Sequence, residues 1–512
     1  MEKRYLLGFD VGTYESKGVL AAPDGRIVGR AARGHLLKSP HPGWAEHDPI
    51  GDWWSDFRAI VAQLLADSGV RAGEIAGIGI SAVMAAITPV DENCNPLRNA
   101  ILYGIDTRCT AQAQALTTQI GPERMNRIFG GPCTVEHFGP KILWIKENEP
   151  EVYRRAKHFT IASGFLTAKL TGEYWVDRYS VKSAVPMLDP RTMEWNDEFC
   201  RLVCPRETLP RITSTTQVVG YVTAAAAAET GLAAGTPVIC GTTDAGAEAV
   251  SVGVVEEGDA MLMYGSTTFF ARLSREARPG TGVWMGDYVL DGLYAYTGGM
   301  ATTGSLTRWL RDNTAKELLE REAQGRLNAY DALFSEAEGI PPGSDGLVVL
   351  PYFQGERMPV LDPRARGAYF GLNLRHTRGH LVHAAFEGVG YGVAQNFELL
   401  RSAGMPVDTV TAVGGGTKTP QWLQVVSDIC NVRQQVPEVT VGASYGDALL
   451  AGLGVGLIPS PSRIREMVRI RYVVEPDPGR HAAYEPYKKV YRELYQRNKD
   501  LMHLLGEVSG WT

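Results

Sequence analysis

The chain has 512 residues, of which 44% are apolar and 21% charged; this is the composition of an ordinary folded protein, too long for one core, so two domains are expected. A net charge of −6 leaves no basic footprint and argues against nucleic acid as the main partner. No apolar run approaches about 18 residues, and the seven cysteines contain no CxxC pair, so the expectation is a cytoplasmic protein with reduced thiols and no membrane span.

Residues 5–9 form an apolar run that ends in the turn Asp10-Val11-Gly12-Thr13. A second run at 18–22, the pair Asp24-Gly25 and a third run at 26–29 predict an antiparallel meander at a sheet edge. Apolar residues recur at helical spacing over 53–66, strands are expected at 77–81 and 100–103, and 141–147 is again helical, so the first half reads as α/β.

The segment from Cys240 to Gly246 then closes an apolar run and opens a helical one, with Asp244 alone at the corner. An aspartate there has the form of a helix N-cap, and it is also where a catalytic base would stand. The helix dipole is expected to keep it ionised near pH 7.

After Asp244 the grammar repeats: a strand at 260–264, a turn at Gly265-Ser266-Thr267-Thr268 and a strand at 269–273. Gly414-Gly415-Gly416 lies between a strand at 409–413 and a helix at 422–429, a setting in which backbone N–H groups meet anions. A boundary near 246–256 divides the chain into domains 1–247 and 248–512. The charged, aromatic stretch 484–505 is expected to be a terminal helix packed back across the body. Cys200 and Cys204 share a helix face, but no further ligand accompanies them, and the histidines are scattered, so no metal cluster of this kind is expected.

Taken in order, the motifs resemble the FGGY carbohydrate kinases. They are the turn at Asp10 followed by Lys17, the 140–150 segment, Asp244 with its glycines, the turn Gly265-Ser266-Thr267, Gly304 with Arg308, the 370–374 and 383–388 segments, and the triple glycine. The resemblance implies an α/β fold of two domains, the actin-like ATPase (ribonuclease H-like) type with an interdomain cleft. It implies ATP and Mg2+ as cofactors and Asp244 as the base that accepts the proton of a sugar hydroxyl. Gly12, Thr13, Lys17, Gly265, Ser266, Thr267, Gly304 and Arg308 would meet phosphates, Gly415 and Gly416 the adenosine, and Asp10 a hydrated Mg2+.

Within the family, residues 43–49 and 351–359 are most similar to the xylulokinase branch, which implies a ketopentose such as D-xylulose. Another ketose, a tetritol or glycerol are the alternatives, and a non-catalytic actin-like ATPase is the reading from a different class. The sugar pocket departs from the branch: Val83-Met84-Ala85 stands where Gln-Met-His is usual, and Ala245 where Asn is usual. Recognition is therefore assigned to Met84, Tyr103, Asp106, Glu136, Asp244 and Phe269, with Arg108 and His137 as further candidates. The expected partner is a small sugar, with a homodimer left open.

Overall fold

The computed structural model describes residues 4–278 and 280–510. The chain divides into two compact units. The first holds residues 1–255, 286–293 and 441–467, and the second holds 256–285, 294–440 and 468–512.

In the first unit, Tyr5–Val11, Glu15–Ala21 and Ile27–Gly34 form the antiparallel meander, with Gly25 at φ 89° in the hairpin between the last two. A positive φ costs glycine nothing, which suits the Asp-Gly turn. The strand Ile75–Ala82 runs parallel to Tyr5–Val11 on its other side, and Thr242–Thr243 pairs in parallel with its end. All eight residues of Ile75–Ala82 are buried, as expected of a central parallel strand covered on both faces. The helix expected over 53–66 spans Ser55–Ser68, preceded by a wide turn, Pro49–Trp54, that Asp48 caps by accepting from Ile50 and Gly51 N–H. The expected strand at 100–103 shrinks to Ala100–Ile101.

The second unit repeats the arrangement. Ala260–Tyr264, Thr268–Ser274 and Tyr294–Gly298 form an antiparallel run, and Thr409–Val413 lies parallel to Ala260–Tyr264. The terminal helix spans Pro478–Val508 and packs within this unit on the helix Pro420–Cys430 and the strand Val348–Leu350. Among the described residues no helix is long and apolar enough to cross a membrane.

The compact units do not follow chain order throughout. Residues 441–467, assigned to a C-terminal domain by position in the chain, belong to the first unit. The helix Ala443–Gly454 lies on the strands Tyr5–Val11 and Ile75–Ala82. Glycine makes so close an approach possible: a Cβ on Gly8 would fall on the carbonyl oxygen of Ser444, and one on Gly79 on that of Asp447. Backbone-to-backbone packing of this kind excludes any side chain at the contact.

Candidate active site

The register of the first sheet places the chemistry. Asp10 stands opposite Lys17 on one side and Ser81 on the other, and Ser81 is in turn opposite Thr242. Asp10 and Asp244 therefore emerge at the carboxyl ends of parallel strands, the usual location of ligand sites in such sheets.

Asp244 is the first residue of the helix Asp244–Ser251, whose N-cap is Thr243. Its Oδ1 accepts from the N–H of Ala245 at 2.7 Å, so it does not cap the helix in the manner of an N-cap aspartate. Burial, and then the charge of Asp10, raise its pKa to about 7. This corrects the expectation of a fully ionised group: desolvation outweighs the helix dipole. A carboxylate poised near neutrality suits a general base.

Asp10, 7% exposed, is pushed up to about 6 by burial, partly offset by Ser81 and Lys17. Lys17 itself pairs with Glu15 at 3.0 Å and is half exposed. Ser81 Oγ lies 3.0 Å from Asp10 Oδ1 and 2.7 Å from Asp447 Oδ2. One hydroxyl has one proton to donate and cannot serve two carboxylates. Asp447, fully buried and held well above the usual carboxylate range by burial and by Asp10, supplies the missing proton. The chain of donors then runs from Asp447 to Ser81 to Asp10.

Glu248, one helical turn after Asp244, is raised by burial and by Asp10. The charge of Asp10 thus acts on Asp244, Glu248 and Asp447 alike. Among the described residues no three His, Cys, Asp or Glu side chains converge as direct metal ligands.

Sequence reasoning missed Ser81, Asp447, Glu248 and Tyr179. The charge of Asp244 raises the pKa of Tyr179 after burial does, and a Cβ on Gly246 would lie 3.1 Å from its ring. A lone aspartate ahead of Ala448-Leu449-Leu450-Ala451 was the available signal for Asp447.

In the turn after Asp10, the N–H of Gly12 is spent on Glu15 O at 2.9 Å, while those of Thr13 and Tyr14 have no acceptor among the described residues. Thr13 Oγ1 is 2.9 Å from the hydroxyl of Tyr103, which joins this turn to the loop expected to read the sugar. Tyr103 also feels the charge of Asp244.

Two candidates from that loop are corrected. Asp106 is completely buried. Its oxygens are taken by Arg108, with Nη2 at 2.7 Å and Nε at 2.9 Å, and by the N–H of Ala45 at 2.6 Å. Arg108 bonds Glu46 at 2.7 Å as well and lies over the Trp44 ring at 3.9 Å. This is a closed structural ion pair with no oxygen left for a hydroxyl.

Glu136 is exposed beside Gly104, where an added Cβ would lie 2.7 Å from its Cγ. His137 accepts from the N–H of Thr134 at 3.0 Å, and burial and Lys141 lower its pKa to about 4, so it is neutral. Met84 is half-buried. Ala85, at φ 61°, is buried in an apolar cluster with Ile87 and Phe138.

In the second unit, the carbonyl of Ser266 accepts from Thr303 N at 2.9 Å, Ser305 N at 3.1 Å and Ser305 Oγ at 2.8 Å. This locks the 265–267 turn to the start of the helix Gly304–Thr314. A Cβ on Gly304 would lie 2.6 Å from Gly265 O, so only glycine allows the contact. Thr267 is half-buried at the end of the turn, Arg308 is exposed one turn into the helix, and Phe269 is half-buried on Thr268–Ser274. A Cβ on Gly416 would meet Tyr264 at 2.7 Å, whereas Gly415 has nothing within 4 Å.

A model of the FGGY family of carbohydrate kinases, N-terminal domain, matches residues 5–251, and that of the C-terminal domain matches 260–455. The chain belongs to the FGGY family of carbohydrate kinases. The xylulose kinase of Bacillus subtilis (strain 168) is 29% identical over 97% of this chain and 98% of its own length. A gluconokinase of the same strain is 28% identical over 98% and 96%. The crystal structure of xylulose kinase from Rhodospirillum rubrum has 30% identity and a TM-score of 0.89, covering 98% of this chain and 100% of its own. This FGGY kinase is thus an ATP-dependent, xylulose kinase-like phosphotransferase acting on a carbohydrate, with the family's two-domain α/β fold.

Proposed function

We propose that this kinase transfers the γ-phosphate of ATP to a hydroxyl of a ketopentose such as D-xylulose, with Asp244 as the base. The observation that carries the reading is a buried carboxylate with a pKa of about 7 at the end of a parallel strand, near the Thr13–Tyr103 contact. Phosphoryl transfer asks the protein chiefly for positioning and charge stabilisation. Asp244 accepts the hydroxyl proton, and Ala245 N–H holds its Oδ1 in place. The free N–H groups of Thr13 and Tyr14 are suited to phosphate oxygens. Magnesium fits at Asp10, where it would neutralise phosphate charge.

The 265–267 turn with Gly304, and the 414–416 turn, are assigned to phosphate and adenosine. The open space at Gly415 supports the second assignment and yields a prediction. A Cβ on Gly415 would meet no protein atom within 4 Å, so Gly415→Val should leave the melting temperature unchanged while raising the KM for ATP by about tenfold or more and sparing the KM for sugar. An unchanged KM for ATP would remove the adenosine assignment.

Sugar reading falls to Tyr103, Met84 and the exposed Glu136. The similarity to a gluconokinase favours one second reading, an aldonic acid. Sugar-dependent ADP release measured over D-xylulose, other ketoses, tetritols, glycerol and gluconate decides between them. A kcat/KM at least about tenfold higher for D-xylulose than for any other compound is expected. A preference for gluconate would overturn the ketopentose.

A further inference from the structure

The covered side chains of two histidines grip the backbone of the 10–13 turn. His35 Nε2 lies 3.1 Å from Gly12 O, and its Nδ1 lies 2.9 Å from Asp56 Oδ2. His47 Nε2 lies 3.0 Å from Thr13 O, and its Nδ1 receives the Trp53 indole N–H at 3.1 Å. The two rings meet edge to face at 4.7 Å.

The partners determine the protons. A carbonyl only accepts, so both Nε2 atoms carry hydrogen. An indole N–H only donates, so His47 Nδ1 is bare and His47 is neutral. His35 Nδ1 faces a carboxylate that also takes Arg33 Nε at 3.1 Å; it carries a second hydrogen, and His35 is an imidazolium.

The surroundings agree. Burial and the charge of His35 push His47 down to about 4, against the pull of the Thr13 carbonyl. Burial opposes the charge on His35, but the hydrogen bond to Asp56, the charge of Asp56, the Gly12 carbonyl and Asp52 together raise its pKa. Lys38 also faces this neighbourhood, at 3.4 Å from Asp48 and 3.7 Å from Asp52, beside Asp56, Arg33 and the neutral His47.

A trans peptide points its C=O and the following N–H in opposite directions. Holding Gly12 O therefore aims Thr13 N–H away from His35, and holding Thr13 O aims Tyr14 N–H away from His47. These are the two N–H groups of the turn left without an acceptor.

We propose that His35 and His47 are positioning residues that set the Thr13 and Tyr14 N–H groups for nucleotide phosphate, with His35 adding a fixed positive charge behind the turn. The proposal rests on the reading of this turn as a phosphate site. His47→Leu removes the grip on Thr13 and should raise the KM for ATP and the Kd for ADP by about tenfold, with kcat and the KM for sugar changing less than about threefold. Gln can accept from Trp53 and donate to Thr13 O, so His47→Gln should restore both to within about threefold of wild type.

His35→Gln tests the charge. Wild-type affinity for ADP should weaken as pH rises through the raised pKa of His35, and the variant should lose that dependence while binding less tightly at pH 6.5. Melting temperatures identify any variant that fails to fold, and the glutamine variants keep the test alive if His47→Leu does. Gly12→Ala probes the turn itself, since its Cβ would lie 2.9 Å from Glu15 O. If Gly12→Ala leaves ATP and ADP unaffected, the phosphate reading of the turn fails and the proposal with it. If Gly12→Ala weakens nucleotide binding while His47→Leu and His35→Gln do not, or if His47→Gln is as impaired as His47→Leu, the histidine grip is overturned alone.

Discussion

Asp244→Asn is expected to lower kcat by about 10² to 10⁴, the usual cost of losing a general base, while ADP binding stays within about threefold of wild type. The amide matches the carboxylate in size and can still accept from Ala245 N–H, but it cannot take a proton at neutral pH. The pH profile makes the same case. With Asp244 raised to about 7, kcat/KM of the free enzyme should fall as pH drops below about 7, because the protonated acid cannot accept the hydroxyl proton. Asp10, raised to about 6, should steepen the fall at lower pH, and the two limbs belong to the coupled pair. The variant should retain only a residual rate without the limb near 7. A variant within about threefold of wild type in single-turnover measurements would take Asp244 out of the mechanism.

Asp447→Asn is expected to raise the melting temperature at pH 7 to 8. Asp447 is held well above its ordinary range by burial and by Asp10. It is neutral in the folded protein under conditions where the unfolded chain ionises it. The folded state then binds more protons than the unfolded one, so stability is fully present below the ordinary pKa of 3.8 and declines as pH rises toward the folded pKa. Asparagine carries no such cost and still donates to Ser81.

The advantage of the variant should therefore be several degrees at pH 8, at about 2 to 4 °C for each kcal/mol relieved, and should vanish at pH 4 and below. Thermal melts across that range read it directly. A variant less stable than wild type at pH 8 would mean that Asp447 is ionised and held by a positive partner. Asp447→Ala, by contrast, leaves Ser81 without its donor, a cost of about 1–3 kcal/mol for a buried polar group.

What local chemistry dictates was legible in the sequence. The strand, turn and antiparallel strand appear twice, at 5–21 and 260–274, because alternating apolar runs and small turn residues impose them wherever they occur. Asp244 was visible at its corner, and Gly304 and Gly416 stand where an added Cβ would lie within 2.7 Å of a neighbouring residue. Asp106 shows where this reasoning ends. Its neighbour Tyr103 suggested a sugar contact, but its partner Ala45 lies 61 residues away, and no local pattern reveals a pair closed by a distant backbone.

The protonation states required the tertiary structure. From the sequence alone, a helix N-terminus makes Asp244 a stable anion; only folding shows that it is desolvated beside Asp10, which reverses the sign of the shift. Ser81 meets Asp447 across 366 residues of chain, and the helix that carries Asp447 returns to the first unit after a long excursion of the chain through the second. Order along the chain and local periodicity determined which elements form and which turns are built of small residues. Burial and long-range register determined which carboxylates hold protons, because charge in a protein is governed by its distance from water and from other charges.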